Sequence, residues 1–522
     1  MNPTTGLQML LLAGGAIAVA AVARRKDWPA PLLLVAAGLL VSPLMPPVAL
    51  DPELVLFVFL PPLLYSAAFD SSYLRLRDVR RPVALLSVGL VLFTTAVVGL
   101  VVHLMLPNLP LAAAFALGAI IAPPDAVAAV AVGRKLGLPR RTLTILIGES
   151  LFNDATALTA YRVAIGAAVG GSIDLWEGAR EFLVAAAGGV AIGLALAFAF
   201  AWLFRHTRDS LVENTLMLLI PFAAYLAAES VHASGVISVV IVGLYLGNQM
   251  HLRGFGTRLV SDSVWKVSDF FLETIVFALI GLQLVTVVGG IVGYKPWEVV
   301  LYAVVVFLVT VGVRFVWVFA ASYMPRLFNR SHVVPPPQQL VVVSWAGMRG
   351  VVSLAAAFII PDIPDREMLL FLTFTTVIAT LLVQGLTFPA LIRRLGVSSE
   401  QERYEDKLAE ASAQQAALEA GLAELERLAS QDGESDEIRR QVIEQLKEKS
   451  WRRSLTAWER LGGGTGQDGA ETPSSLYSRL RRDMLQAERQ VFVRLRDERR
   501  LDDEVLREMM AQLDFEEAML ER

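Results

Sequence analysis

The sequence predicts an all-α polytopic membrane protein: about thirteen transmembrane helices in two inverted six-helix repeats with unwound crossing helices, followed by a helical cytoplasmic tail. Three observations predict it. The 522-residue chain is 55% hydrophobic with a mean hydropathy of +0.55, and bilayer-length apolar runs recur from Leu7 to about Leu391. Basic residues gather in every second loop between those runs. From Ser399 the composition turns charged and the apolar runs stop.

The predicted spans are 6–23, 31–48, 53–69, 82–105, 110–133, 142–169, 179–204, 211–231, 234–249, 266–290, 297–324, 338–360 and 367–392. Clusters follow each odd span: Arg24-Arg25-Lys26; Arg75, Arg77, Arg80 and Arg81; Arg134, Lys135, Arg140 and Arg141; Arg205 and Arg208; Arg253, Arg258 and Lys266; Arg326 and Arg330; Arg393-Arg394. The other loops are neutral or acidic (Asp51, Glu53, Asp174, Glu177, Glu229, Asp362, Asp365), with Lys295 as the exception. Basic loops stay cytoplasmic, so the N-terminus is expected outside, the tail inside, and the protein in the plasma (inner) membrane. No basic residue precedes the first apolar run, which argues for a retained span rather than a cleaved signal.

The predicted domains are a membrane domain, residues 1–395, and a soluble tail, residues 396–522. The tail's residues 400–522 hold 20 of the 46 basic and 29 of the 50 acidic residues, a balance of −9 that leaves +5 for the rest. Such a tail is neither a polybasic lipid anchor nor a nucleic-acid binder. Its leucines (Leu408, Leu418, Leu422, Leu425, Leu428) give a patchy helical stripe, 462–469 is a glycine-rich linker, and Leu476 to Leu520 reads as one or two amphipathic helices. The bland reading is a solvated helical tail; a regulatory role is the sharper one. Cysteine is absent, which excludes disulfides, thiolate metal sites and lipid attachment through Cys.

Polar residues at bilayer depth carry the functional information. In Gly148-Glu149-Ser150-Leu151-Phe152-Asn153-Asp154, Glu149, Asn153, Ser150 and Asp154 fall at about 0°, 40°, 100° and 140° around a helix, on one polar face. A charge at the bilayer centre costs at least ~2.5–3.5 kcal/mol, so this face must meet protein or water. Pro123-Pro124 should unwind span five and place Asp125 at the start of its second half, where the helix dipole favours negative charge. Gly347-Met348-Arg349-Gly350 interrupts span twelve, seven spans on, and repeats offset by an odd number of spans are inverted. Arg349 keeps its proton and needs a partner. Glu149 is the preferred one, with Glu273 as competitor. That pairing leaves Asp154 free to hold either a proton or a small cation, and a site that loads one competitor on each side exchanges them. Ser150 either helps this site or bonds the carbonyl one turn back. Arg162, two turns past Asp154, reads as interfacial snorkelling.

These motifs, in this order, resemble the sodium/proton exchangers of the first monovalent cation:proton antiporter family. Gly148 to Leu158 resembles the family's signature helix, Phe59-Leu60-Pro61-Pro62-Leu63-Leu64-Tyr65-Ser66-Ala67-Ala68 its third helix and Pro124-Asp125-Ala126-Val127 its unwound helix. Glu273-Thr274-Ile275-Val276-Phe277 is similar to its tenth, and Ser344-Trp345-Ala346-Gly347-Met348-Arg349-Gly350 to its tryptophan-glycine-arginine motif. The resemblance implies the thirteen-helix inverted-repeat fold, a homodimer and an elevator-like motion. It implies Asp154 as carrier of Na+ and H+, with Asn153, Asp125 and Ser150 around it, and Glu149 with Arg349 as the structural salt bridge. An asparagine before the carrier aspartate is the family's electroneutral pattern, which implies one-for-one exchange serving pH and sodium homeostasis. Two departures bear on ion choice. Many members have Thr or another small residue where Pro124 stands, so a hydroxyl ligand is missing there. Some carry an acidic residue where this chain has Tyr65-Ser66. Sodium is the first expectation, with K+ or Li+ left open.

The expected partners are thus a monovalent cation, a proton, membrane lipid and a second copy of the chain, without a cofactor or nucleic acid. Two rival classes fare worse. An intramembrane aspartyl protease would need Tyr-Asp and Gly-x-Gly-Asp contexts, which Asp125 and Asp154 lack. A cation channel would need a filter-like repeat of carbonyl-donating loops, and none is present. A transporter turned sensor through its tail stays open, and absence of any vesicle flux would point to it.

Overall fold

The computed structural model describes residues 3–26, 28–44, 52–170, 175–207, 209–291, 293–328, 334–361, 363–397, 400–431, 441–451 and 473–520. Asp51, Asp174, Arg208, Arg330, Asp362 and the glycine-rich 462–469 lie outside them. Among the described residues every regular element is helical. The chain forms two compact units, Met1–Ser398 and Ser399–Arg522.

Among the described residues of the first unit, six helices are long and apolar enough to cross a membrane: Arg80–Met105, Gly178–His206, Ser210–Glu229, Phe255–Gly289, Pro296–Met324 and Arg366–Leu395. Shorter apolar helices include Ala30–Val41, Leu111–Ile121 and Gly235–Asn248. The stretch expected as span six is one 31-residue helix, Arg140–Gly170, with its charged residues inside it. Spans five and twelve are each broken in two. Leu111–Ile121 is followed by Val127–Leu136, and Pro337–Trp345 by Val351–Phe358. Prolines 123 and 124 explain the first break, because neither supplies a backbone N–H. The second spans the glycine-flanked Gly347 to Gly350.

Two features hold neighbouring helices on the polar one. Arg80–Met105 contains a π-helical stretch, Leu85–Leu90, whose wider turn disturbs the carbonyl ladder. Trp317 Nε1 of the Pro296–Phe328 helix donates to Leu85 O at 3.0 Å, and its ring lies 5.1 Å from that of Phe93. At the other end of the Arg140–Gly170 helix stands Arg162, half-exposed. Its Nη2 reaches both Glu229 oxygens, at 2.8 and 2.9 Å, and so ties this helix to the end of Ser210–Glu229. Glu229 also accepts the N–H of Gly235 at 3.2 Å.

In the second unit, Glu400–Gln431 and a helix over 441–451 precede two helices, Pro473–Asp497 and Asp503–Leu520. These last two form a hairpin around buried Leu485, Leu506 and Leu513. Arg481 bridges to Glu516 at 2.7 Å and Glu488 at 2.8 Å, while Arg489 reaches Asp514 and Glu517, both at 2.5 Å. The Arg481 guanidinium holds the Glu516 carboxyl below the usual range.

Trp317→Phe should keep the ring contact with Phe93 and lose the bond to Leu85. In a membrane an unmet carbonyl has no water to turn to, so a cost of about 1–3 kcal/mol is expected. Thermal melting of the detergent-solubilised protein should show a lower midpoint; an unchanged midpoint would remove Trp317 as a brace of the π-helical stretch.

Candidate functional site

The two breaks meet. The backbone N–H of Asp125 donates to Met348 O at 2.7 Å, joining the extended strands between the half-helices. Asp125 Oδ1 accepts the N–H of Val127 at 2.9 Å and so caps Val127–Leu136. Its other oxygen packs on Gly350, the residue that begins Val351–Phe358; a side chain there would overlap the Asp125 carboxylate. One carboxylate thus serves two helix N-termini, whose dipoles carry roughly half a positive charge each.

The Arg140–Gly170 helix supplies the rest of the scaffold. Asn153 Nδ2 donates to Pro124 O at 2.7 Å, satisfying a carbonyl freed by the break, and its Oδ1 is buried without a partner. Ser150 Oγ accepts the N–H of Ala126 at 3.4 Å. The bland alternative for Ser150, a bond to the preceding turn, is thus not its recorded role. Thr156 and Thr159, further along, do make such bonds.

The expected Glu149–Arg349 bridge is not what forms. Glu149 pairs with Arg314 of the Pro296–Phe328 helix: Nη1 meets Oε1, Nη2 meets Oε2 at 2.8 Å, and both side chains are buried. Arg314 also donates to Val343 O, from Nε at 3.1 Å and Nη2 at 3.0 Å. Arg349, 1% exposed, spends its donors on carbonyls instead: Nε on Ile121 O at 3.0 Å, Nη2 on Ala122 O at 3.4 Å and Nη1 on Gly347 O. Its backbone N–H donates to Thr380 Oγ1 at 3.1 Å.

The physical reason for the exchange of partners is that a broken helix leaves orphan carbonyls at its C-terminal end and a negative dipole pole there. Arg349 caps Leu111–Ile121 and Arg314 caps Pro337–Trp345, so neither cation depends on a carboxylate alone. Gly347 lies between the two guanidiniums, where a Cβ would fall 2.6 Å from Arg314 Nε.

Charge accounting separates the compensated groups of the scaffold from Asp154. Two arginines face Glu149 and two C-terminal poles, about +2 against −2; Asp125 faces two N-terminal poles, about −1 against +1. Asp154 has no such compensation. It is 6% exposed, and no hydrogen bond from a described residue reaches its carboxylate.

Asp154 lines a cavity of about 330 Å³ together with Asp125, Ser150, Ser353, Glu273 and Asp269. The cavity runs to Asp70 and Arg134, at the helix ends that carry basic loops. Ser66 also lines it and donates to Asp269 Oδ2 at 2.5 Å. Glu273 lies in this wall and makes no bond to Arg349. Pro124 contributes its carbonyl, already taken by Asn153, and no hydroxyl.

Sequence reasoning missed Arg314 and Asp269. Arg314 was signalled by a lone arginine in an apolar run, Thr310-Val311-Gly312-Val313-Arg314. Asp269 was signalled by its four-residue spacing from Glu273, which puts both on one helix face.

The family model described as sodium/hydrogen exchanger, transmembrane, matches residues 10–394. An uncharacterised Na+/H+ exchanger of Mycobacterium tuberculosis is 32% identical over 511 residues, covering 94% of this chain and 91% of the relative. A sodium, potassium, lithium and rubidium/H+ antiporter of Bacillus subtilis is 33% identical over 385 residues, covering 70% of this chain and 58% of its own length. A low-affinity Na+/H+ antiporter of Synechocystis is 32% identical over 440 residues, with 80% of each chain covered. In fold, the sodium proton antiporter MjNhaP1 of Methanocaldococcus jannaschii superposes with a TM-score of 0.61 at 20% identity, covering 76% of this chain and 99% of that one.

The choice of arginine can be measured by double-mutant cycles on thermal stability. Glu149→Gln with Arg314→Gln should show a coupling of about 1–3 kcal/mol, and Glu149→Gln with Arg349→Gln a smaller one. Equal couplings, or a larger one to Arg349, would contradict the pairing.

Proposed function

Because the chain belongs to the sodium/hydrogen exchanger family, we propose that it is a secondary antiporter that exchanges one monovalent cation, Na+ first, for one proton at Asp154. The observation that carries this reading is the state of Asp154: a buried carboxylate at a cavity, met by no hydrogen bond or ion pair from a described residue. A proton or an alkali cation neutralises it, and the two cannot share it. The neutral Asn153 beside it, rather than a second acid, supports one-for-one, electroneutral exchange. Asn153, Asp125 and Ser150 hold the broken helix against Asp154, and the unpartnered Oδ1 of Asn153 offers a neutral oxygen to a dehydrated cation. Glu149, Arg314 and Arg349 are structural. Asp269, Ser66 and Glu273 make the cavity wall attractive to cations.

The rest of the proposal follows from the sequence and the family. The thirteen predicted spans form two inverted repeats whose broken helices, five and twelve, cross at the site. The protein works in the plasma membrane as a homodimer with its N-terminus outside, and its cavity, reaching Asp70 and Arg134, opens to the cytoplasm. Its physiological role is pH and sodium homeostasis, and the acidic tail modulates it. K+ and Li+ are the second reading for the cation, favoured by the cations named for the Bacillus relative.

In inside-out vesicles carrying a proton gradient, Na+ should discharge the gradient in the native protein and not in Asp154→Asn, with both proteins inserted to equal amounts. A membrane-potential clamp should leave the rate unchanged. Full exchange by Asp154→Asn would refute the carrier assignment, and a rate that follows voltage would refute the stoichiometry.

A further inference from the structure

Ser353 stands three positions past the second break, in Val351–Phe358. It is 1% exposed, its Oγ has no hydrogen-bond partner among the described residues, and it lines the same cavity as Asp154. Several buried hydroxyls are satisfied by the carbonyl one turn back: Thr95 by Val91, Ser344 by Leu340, Thr373 by Leu369. For Ser353 the residue one turn back is Arg349, which precedes the helix, and no such bond forms. The remaining hydroxyls of the cavity wall are engaged: Ser66 with Asp269, Ser71 with Ala67 O, Ser150 with Ala126. Other buried hydroxyls without partners (Thr94, Ser238, Thr310, Thr376) lie away from the wall. Burying a hydroxyl without a partner is unfavourable, and Ser353, in the cavity wall, is placed where an entering group can satisfy it.

What can arrive there is limited by the neighbouring break. Position 124 is proline and offers no hydroxyl, and the Pro124 carbonyl already accepts from Asn153. We propose that Ser353 Oγ is a direct ligand of the transported alkali cation, supplying from the second broken helix the hydroxyl that the first one lacks. The inference rests on Asp154 as the cation carrier. A hydroxyl adds an oxygen without adding charge, so it tightens cation binding and leaves the one-for-one exchange intact. A compact hydroxyl oxygen favours the smaller, harder cations, Li+ and Na+, over K+.

The test uses the full-length protein in inside-out vesicles, with gradient discharge followed against Na+, Li+ and K+ concentration. Ser353→Ala should raise the half-saturating Na+ and Li+ concentrations about tenfold while the maximal rate stays within about twofold, with a smaller change for K+. Ser353→Thr, which keeps the hydroxyl, should restore Na+ half-saturation. If Ser353→Ala does not insert, Ser353→Cys takes its place, because a thiol is a poor ligand for Na+. Unchanged half-saturation for all three cations would overturn the assignment, as would a fall in maximal rate alone, which marks a packing role. Asp154→Asn run in parallel separates the two claims: exchange surviving there would refute the carrier reading itself, whatever Ser353 does.

Discussion

Four half-helix ends brought together at membrane depth impose the constraint on which the structure depends. A helix broken inside a bilayer exposes backbone groups that water cannot satisfy and dipole ends that lipid cannot screen. Here each end has a fixed partner. Asp125 serves both N-terminal ends, Arg349 and Arg314 one C-terminal end each, and Glu149 balances the remaining positive charge. The Asn153 amide and the Ser150 hydroxyl take up what the proline break leaves over. With those groups committed to architecture, Asp154 is the carboxylate of the broken-helix scaffold left without a fixed partner, beside Glu273 and Asp269 in the cavity wall.

Much of this was legible in the sequence because it is local. Pro123-Pro124 inside an apolar run marks one break, although the pair Pro61-Pro62 sits within the unbroken helix Pro52–Phe69, and a Gly-Met-Arg-Gly stretch inside an apolar run marks a second. The face shared by Glu149, Ser150, Asn153 and Asp154 follows from helical periodicity alone. The pairing of Glu149 was not legible. Choosing between Arg314 and Arg349 depends on how the Pro296–Phe328 helix is rotated and on which carbonyls the breaks leave open, and both are tertiary facts. The expectation that Arg349 needs a carboxylate overlooked that several carbonyls at a helix C-terminus meet the same need.

The same limit applies to the cavity wall. That Ser66 meets an acidic group was invisible along the chain, since Asp269 comes from a helix some two hundred positions later. Ser353 was unreadable for a different reason. A serine in an apolar helix ordinarily bonds its own backbone, and only its position at the start of a half-helix frees it. What distinguishes a working hydroxyl from a satisfied one is the missing carbonyl, not the residue type.

The account's central claim is that one site, Asp154, holds a proton or a cation in turn. Proton release on adding NaCl to the purified, weakly buffered protein tests it most directly. The account predicts about one proton released per chain near the midpoint of the site's titration, and none from Asp154→Asn. No release from the native protein, or the same release from the variant, would contradict it.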